Sequence, residues 1–366
     1  MEAELLFVHS SDELYGADRV LGYILNSLTE EERHRSRVWL PSDLEHGAFP
    51  LCERIEAQGV RVDHVPLPIL RRANLNPAGL ADLSRRSLAF RRHCRALNPG
   101  VVYGTTSATL PALAALTGTS SRILLHNQEV WKPREAQVLG RLAVGVDRII
   151  AISRATRDSM PTALAQRTTV VPNTTPDPFE TSDFQALDQV PAEPLRFLAA
   201  GRWTANKGFD VLIDAWSQAP SGELTIVGGP PPSGGSLDID RLVAQSPARD
   251  SITLVREVDS ILPLLERSHV VVMPSTWDEP FGLVALEGMA AGRPVIASRV
   301  GGLAQFVNSE VGWLVPAADP EALAETLRSV SYEMIIAKGA RARAEYLDKF
   351  SPPQFRRAWR NAVGLA

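Results

Sequence analysis

Short apolar, β-branched runs recur along this chain, and a helix-like segment follows each of them. In the first half the runs are "ELLFVHS", "RVWLPS", "GVRVDHVPL", "GVVYGTTS", "RILLHN", "RIIAIS" and "TTVVPN"; in the second they are "LRFLAAG", "ELTIVGG", "ITLV", "HVVVMPS", "RPVIAS" and "GWLVP". Runs that are apolar on both faces and alternate with helices predict parallel strands in sheets covered on both sides. The alternation restarts near residue 195, after "NTTPDPFETSDFQALDQVPAEP". That stretch is rich in Pro, Thr and Asp and reads as a linker. The pattern therefore predicts an α/β chain of two doubly wound domains in series, residues 1–178 and 179–350. The end "RARAEYLDKFSPPQFRRAWRNAV" predicts a helix, a Ser-Pro-Pro break and a second amphipathic helix over 351–366 that packs back on the first domain.

A length of 366 residues suits two domains of average size. Hydrophobic residues make up 45% and charged residues 22%, the mix of a soluble globular protein. A net charge of −4 gives nothing to attract nucleic acid. The two cysteines, Cys52 and Cys94, exclude a disulfide framework, show no metal-ligand spacing and fit a reducing cytosol. The opening "MEAELLFVHSSDELYGADR" is acidic with a short apolar run, unlike a signal peptide. No stretch approaches the ~20 apolar residues of a membrane span. The expectation is a cytoplasmic protein, at most peripheral on the inner face of a membrane. Residues 70–97 are locally basic, with arginine pairs at 71–72, 85–86 and 91–92. They form either a solvated helix face or a surface for an acceptor or anionic lipid.

Ligands of such sheets bind beyond the carboxyl ends of the strands, and the chemistry-bearing residues fall there. Gly16 follows the first strand, His126 ends "RILLH", and Arg202 and Lys207 follow "FLAAG". Two loop cations beside a helix start suit a diphosphate, because Arg offers a fork, Lys a point charge and the helix a positive potential. Downstream, "PSTWDEPFGLVALEGMAAGRPVIAS" reads as strand end, loop and helix. Pro280 and the helix start leave the amides of Phe281, Gly282 and Leu283 as donors for an anion. Glu279 stands beside that seat and Glu287 more than a turn further in. Two carboxylates in an apolar segment suit vicinal diols, one of a sugar and one of a ribose. A second glycine turn, "SRVGGLAQFV", follows the next strand. Asp238-Ile239-Asp240 imitates a metal-binding Asp-x-Asp, yet acids are ordinary in a first helical turn. His9 reads as a core-edge histidine. Trp203 and Trp277 lie in loops where they pack or touch a ligand.

The elements "YGADR", "VVPN", "GRWTANKGFDVLIDAW", "LTIVGGP" and "PSTWDEPFGLVALEGMAAGRPVIASRVGGLAQFVNSEVGWLVPAADPEAL" together resemble the family-four retaining glycosyltransferases of GT-B fold. The resemblance covers nearly all of the second domain closely and the first loosely. It implies two Rossmann-like domains facing each other across a cleft, the first for the acceptor and the second for a nucleotide-sugar donor. Glu279 would contact the transferred sugar and Glu287 the ribose. Arg202 and Lys207 would neutralise the leaving diphosphate, and the amides around Phe281–Leu283 would bind phosphate and sugar. The loop at Gly16 and Ala17 would close over the donor. A strand-end histidine would approach the donor sugar, with His126 the candidate and Gln128 or Glu129 able to take part of that role. Transfer would be retaining, free of a dedicated metal and of cofactors, from a UDP- or GDP-linked sugar to a glycan, lipid-linked or small-molecule acceptor. Backbone near 255–258 would read the base. Tyr15 before Gly16, and Gln305 where an acid is common, depart from the family pattern. The alternatives are a sugar-nucleotide epimerase, a phosphorylase, or a non-catalytic protein that binds a sugar nucleotide.

Overall fold

A computed structural model describes residues 5–44, 49–71, 76–180, 183–231 and 235–365. Arg72, half of the first predicted arginine pair, lies outside the described residues. The chain divides into two compact units, residues 1–173 with 355–366, and residues 174–354.

The first unit holds a seven-stranded parallel sheet. Its strands are β1 (Leu5–Val8), β2 (Ser36–Pro41), β3 (Arg61–Val65), β4 (Val101–Gly104), β5 (Arg122–Asn127), β6 (Arg148–Ala151) and β7 (Thr168–Val170), in the order β3-β2-β1-β4-β5-β6-β7. The second unit holds β8 (Arg196–Ala200), β9 (Glu223–Val227), β10 (Ile252–Val255), β11 (Val270–Met273), β12 (Val295–Ser298) and β13 (Gly312–Val315), in the order β10-β9-β8-β11-β12-β13. Every pairing in both sheets is parallel.

Burial explains the sequence pattern. The central strands β1, β11 and β12 bury every residue, because helices cover both faces. Each fully buried Leu, Val or Phe of these strands contributes about 1.5–3 kcal/mol. The edge strand β3 instead carries Arg61 and Asp63, and Asp63 lies 3.4 Å from Arg61 and 3.8 Å from Arg37. Charges on an edge discourage pairing with another chain.

Residues 174–178, read from sequence as the end of the first domain, belong to the second unit. Two contacts put them there. Tyr346 Oη donates to the Thr175 carbonyl at 2.8 Å, and Arg343 binds Asp177 at 2.7 Å, both from the helix Tyr332–Lys349. The last helix, Pro352–Val363, returns to the first unit from Phe355 onward. There Trp359 Nε1 donates to Tyr103 Oη at 2.9 Å, and Arg360 grips Glu32 through two bonds of 2.7 and 3.0 Å.

Candidate functional site

In each sheet the strand order reverses direction at one point, between β1 and β4 and between β8 and β11. Loops diverge at such a point and leave a crevice at the carboxyl ends of the strands. In the second unit, Arg202 and Lys207 lie in the loop after β8, and Glu279 in the loop after β11. The switch point therefore brings together residues some seventy positions apart.

Lys207 Nζ binds Glu279 Oε2 at 2.8 Å, and Ser275 Oγ donates to the same oxygen at 3.1 Å. No donor among the described residues engages Oε1, which remains available to a ligand hydroxyl. Glu279 is 7% exposed, and these two bonds satisfy its buried oxygen. Ser275 carried no signal in the sequence beyond its place after a strand. Arg202 sits on the exposed part of the same loop.

The two loops are locked backbone to backbone. Gly208 has φ 69°, and a Cβ there would stand 2.0 Å from the Pro274 carbonyl oxygen. Thr276 N donates to Asn206 O at 3.0 Å. Only glycine permits both the left-handed conformation and that approach. The turn at Gly301 and Gly302 packs in the same manner against residues 278–281, and Gly302 N donates to Glu279 O at 2.6 Å. Its glycines therefore hold the segment that carries Glu279.

The helix read from sequence as starting at Phe281 spans Leu283–Ala290, because Gly282 caps it at φ 101°. Leu283 supplies the first helical amide, and the first-turn amides have no intrahelical acceptor. The Phe281 side chain is core, stacked on Phe306 with ring centroids 5.0 Å apart. What Phe281 offers a ligand is its backbone. Glu287 lies in the fifth helical position and is 7% exposed.

The first unit places Gly16 and Ala17 in the first turn of the helix Gly16–Asn26. Asp18 anchors that turn. It accepts from Tyr15 N at 2.9 Å, from Ser11 Oγ at 2.6 Å and from His9 Nε2 at 2.8 Å. His9 Nδ1 meets Thr105 Oγ1 from the loop after β4. This buried His9–Asp18–Thr105 network was not legible in sequence, and Gly16 and Ala17, read there as a loop, instead open the helix because Tyr15 N donates to Asp18 at its start.

His126 is fully buried, and neither ring nitrogen has a hydrogen-bond partner among the described residues. Its ring lies edge-on to Tyr103 at 6.0 Å, and burial pushes its pKa down to about 3. Gln128 Nε2 donates to Thr105 O at 2.8 Å. Glu129 accepts from Ser107 N at 3.0 Å and Ser107 Oγ at 2.7 Å, and burial raises its pKa.

A pH prediction follows from His126, which is neutral when folded. Between its ordinary value of 6.5 and about 3 the unfolded chain binds the extra proton. Stability supplied by the neutral ring is thus complete above that window and is lost as pH falls through it. His269, held between Arg196 N and Pro191 O and lowered to about 4 by burial, acts in the same direction. His126→Gln is expected to flatten the fall of the urea midpoint across that window. An unchanged slope would show that His126 does not titrate on unfolding.

Three other sequence readings resolve structurally. Asp238 caps the helix Ile239–Gln245 by accepting from Arg241 N at 3.0 Å, and Asp240 pairs with Arg256 at 2.9 Å, so the Asp-x-Asp is a helix start. Trp203 is 2% exposed beneath the Arg256 guanidinium, 4.9 Å from the ring centre. Trp277 is 40% exposed.

Residues 194–331 match the family described as Glycosyl transferases group 1. An uncharacterised glycosyltransferase of Methanocaldococcus jannaschii is 38% identical over 135 residues, 35% of this chain and 33% of that protein. A D-inositol 3-phosphate glycosyltransferase of Streptomyces avermitilis is 31% identical over 239 residues, 59% of this chain and 51% of that protein. The chain thus spans a third to about half of the length of these relatives. The crystal structure of the Anabaena protein HepE in complex with UDP and glucose superposes with a TM-score of 0.80 at 20% identity, covering 99% of this chain and 100% of that one.

Proposed function

From its place as a family-four-like protein of GT-B fold, with the group 1 glycosyltransferase domain at residues 194–331, we propose that this chain moves a sugar from a nucleoside-diphosphate sugar to an acceptor hydroxyl with retention. The observation that carries the reading is the Lys207–Glu279 pair at the β8/β11 switch point, with Glu279 in the loop that leads into the helix Leu283–Ala290. In this reading the donor diphosphate sits at that helix start. Arg202, Lys207 and the amides meet its charge as the sugar–phosphate bond breaks, an electrostatic form of catalysis. Glu279 accepts from sugar hydroxyls through Oε1, and Glu287 from the ribose diol. Within the first unit, His126 is a neutral hydrogen-bonding ring rather than an acid. The nucleotide sugar is a substrate, and the reading invokes neither cofactor nor metal.

UDP and glucose in the Anabaena structure favour a UDP-linked donor, with GDP next. The inositol-phosphate relatives make a small phosphorylated polyol one acceptor to try, beside glycans and lipid-linked sugars. The deciding experiment is thermal unfolding with UDP, GDP, ADP, TDP and their sugar conjugates, in EDTA, on wild type and Glu287→Ala. At ~100 times its dissociation constant a ligand adds about 2.7 kcal/mol, a rise of a few degrees. A rise with one nucleotide, kept in EDTA and lost in the variant, is expected. No rise with any of them would sink the donor assignment.

The basic helix Pro77–Leu97 supports a narrower membrane reading than its composition suggested. Arg86 is committed to Asp43 at 2.8 Å, and Arg91 to the carbonyls of Ala115 and Thr117. The exposed face carries Arg85, Arg92 and Arg95 with Leu80 and Leu88, the last 62% exposed. That mixture suits an anionic lipid surface. Cosedimentation with anionic vesicles is expected for wild type and reduced in Arg85→Glu/Arg92→Glu; equal sedimentation of the two would refute the contact. No helix among the described residues is long and apolar enough to cross a membrane.

A further inference from the structure

Spacing in the sequence offers no metal site, yet the fold gathers one donor of each kind from three separate elements of the first unit. Asp12 comes from the loop after β1, Cys52 from the helix Pro50–Ala57 and His64 from β3. One ligand atom of each lies within 4.8 Å of the others. We propose that Asp12, Cys52 and His64 form a binding site for a borderline-soft divalent cation, Zn2+ by donor chemistry, that clips the β1 loop to the two elements beside it.

The carboxylate is already oriented. Asp12 is fully buried, and its Oδ1 accepts from Leu51 N and Cys52 N, both at 3.0 Å. Its Oδ2 meets His64 Nε2 at 2.8 Å, so the two atoms that would ligate already point at each other. A ligating carboxylate held by outside donors is the usual support of a metal site. Ligands about 2.0–2.3 Å from a tetrahedral ion stand roughly 3.5 Å apart. The two side chains that would adjust to an ion, Cys52 and His64, are the more exposed members of the set, while Asp12 is buried. The Phe49 ring covers one side of His64 at 4.9 Å between centroids. Glu53 and Glu56, near the thiol on its own helix, add negative charge that a cation relieves. Sulfur, imidazole and carboxylate together favour Zn2+ over Mg2+ or Ca2+, with a fourth position left for water.

Binding balances simply. The Cys52 thiol gives one proton to solvent and coordinates as thiolate. The Asp12–His64 hydrogen bond is exchanged for two metal bonds, with the imidazole proton relocated from Nε2 to Nδ1. All three ligands belong to the first unit, whereas Lys207, Glu279 and Glu287 belong to the second, so the proposed ion clips a loop of the first unit.

Cobalt(II) titrated into the metal-stripped full chain tests the site. A near-ultraviolet sulfur-to-cobalt charge-transfer band is expected, saturating at one ion per chain and displaced by Zn2+. It should be kept in Cys94→Ser, abolished in Cys52→Ser, and require about tenfold or more cobalt in His64→Ala. Circular dichroism of the variants checks folding. Zn2+ should raise the melting temperature of wild type but not of Cys52→Ser. Absence of the band, its survival in Cys52→Ser, or its loss only in Cys94→Ser would each overturn the proposal.

Discussion

Lys207→Ala is expected to lower kcat by about 10²–10³-fold while leaving the chain folded. Lys207 is fixed at 2.8 Å from Glu279 and is 18% exposed on a loop held against a second loop. In the proposed transfer its charge matters most when the diphosphate departs. An interaction made mainly in that state lowers kcat and kcat/KM together. The substitution also strands Glu279, a buried carboxylate left with Ser275 as its side-chain donor among the described residues, which adds a stability cost. Glu279→Gln/Lys207→Ala separates the two effects, because the neutral amide removes the stranded charge. The double variant should regain stability and stay slow. Steady-state kinetics with the donor found by thermal shift measures this, and a kcat equal to wild type would remove Lys207 from the leaving-group role.

Arg293→Met is expected to cost about 3–5 kcal/mol, close to 10 °C in melting temperature for a unit of this size. Arg293 is fully buried and faces four main-chain acceptors, the carbonyls of Ser268, Ala291, Gln185 and Glu266. Its guanidinium lies over Phe184, 5.0 Å from the ring centre. Burial lowers its pKa to about 10, leaving it charged at neutral pH. Met keeps most of the volume and strips all four carbonyls of their donor. Lys should recover part of the loss, since one ammonium cannot span a forked set of acceptors. Thermal and urea unfolding check both. A Met variant as stable as wild type would mean that other donors satisfy those carbonyls.

Arg293 also shows what the sequence could and could not tell. The run "RPVIAS" announces β12 because a strand buried on both faces is apolar throughout. It says nothing of the arginine in front of it, whose partners are carbonyls scattered over three segments. The buried central strands β1 and β11 were legible for the same reason that β12 was. Glu279 and Glu287 stood out because carboxylates are rare in an apolar helix and its approach. The residues that hold Glu279 did not. Gly208 against Pro274 is a contact between backbones, and backbone atoms leave no compositional trace. The stretch from Thr174 looked like a linker because it lacks periodicity, yet it is docked through the Thr175 carbonyl and Asp177. Phe281 was read as helix because apolar residues run unbroken across it; the left-handed Gly282 sets the true start. Asp12 and Cys52 gave no sign of each other, since an unremarkable loop and helix meet only in the fold.

The second unit is one continuous segment, whereas the first is completed by residues 355–366. On the ribosome the order of completion is therefore reversed. The amino-terminal sheet emerges first but waits, without Trp359 against Tyr103 or Arg360 against Glu32, until residues 355–366 have been made. The carboxyl-terminal sheet can close before it. Translation that stops before residue 355 would release an intact second unit joined to a first unit lacking residues 355–366, a product open to proteolysis in the part made first.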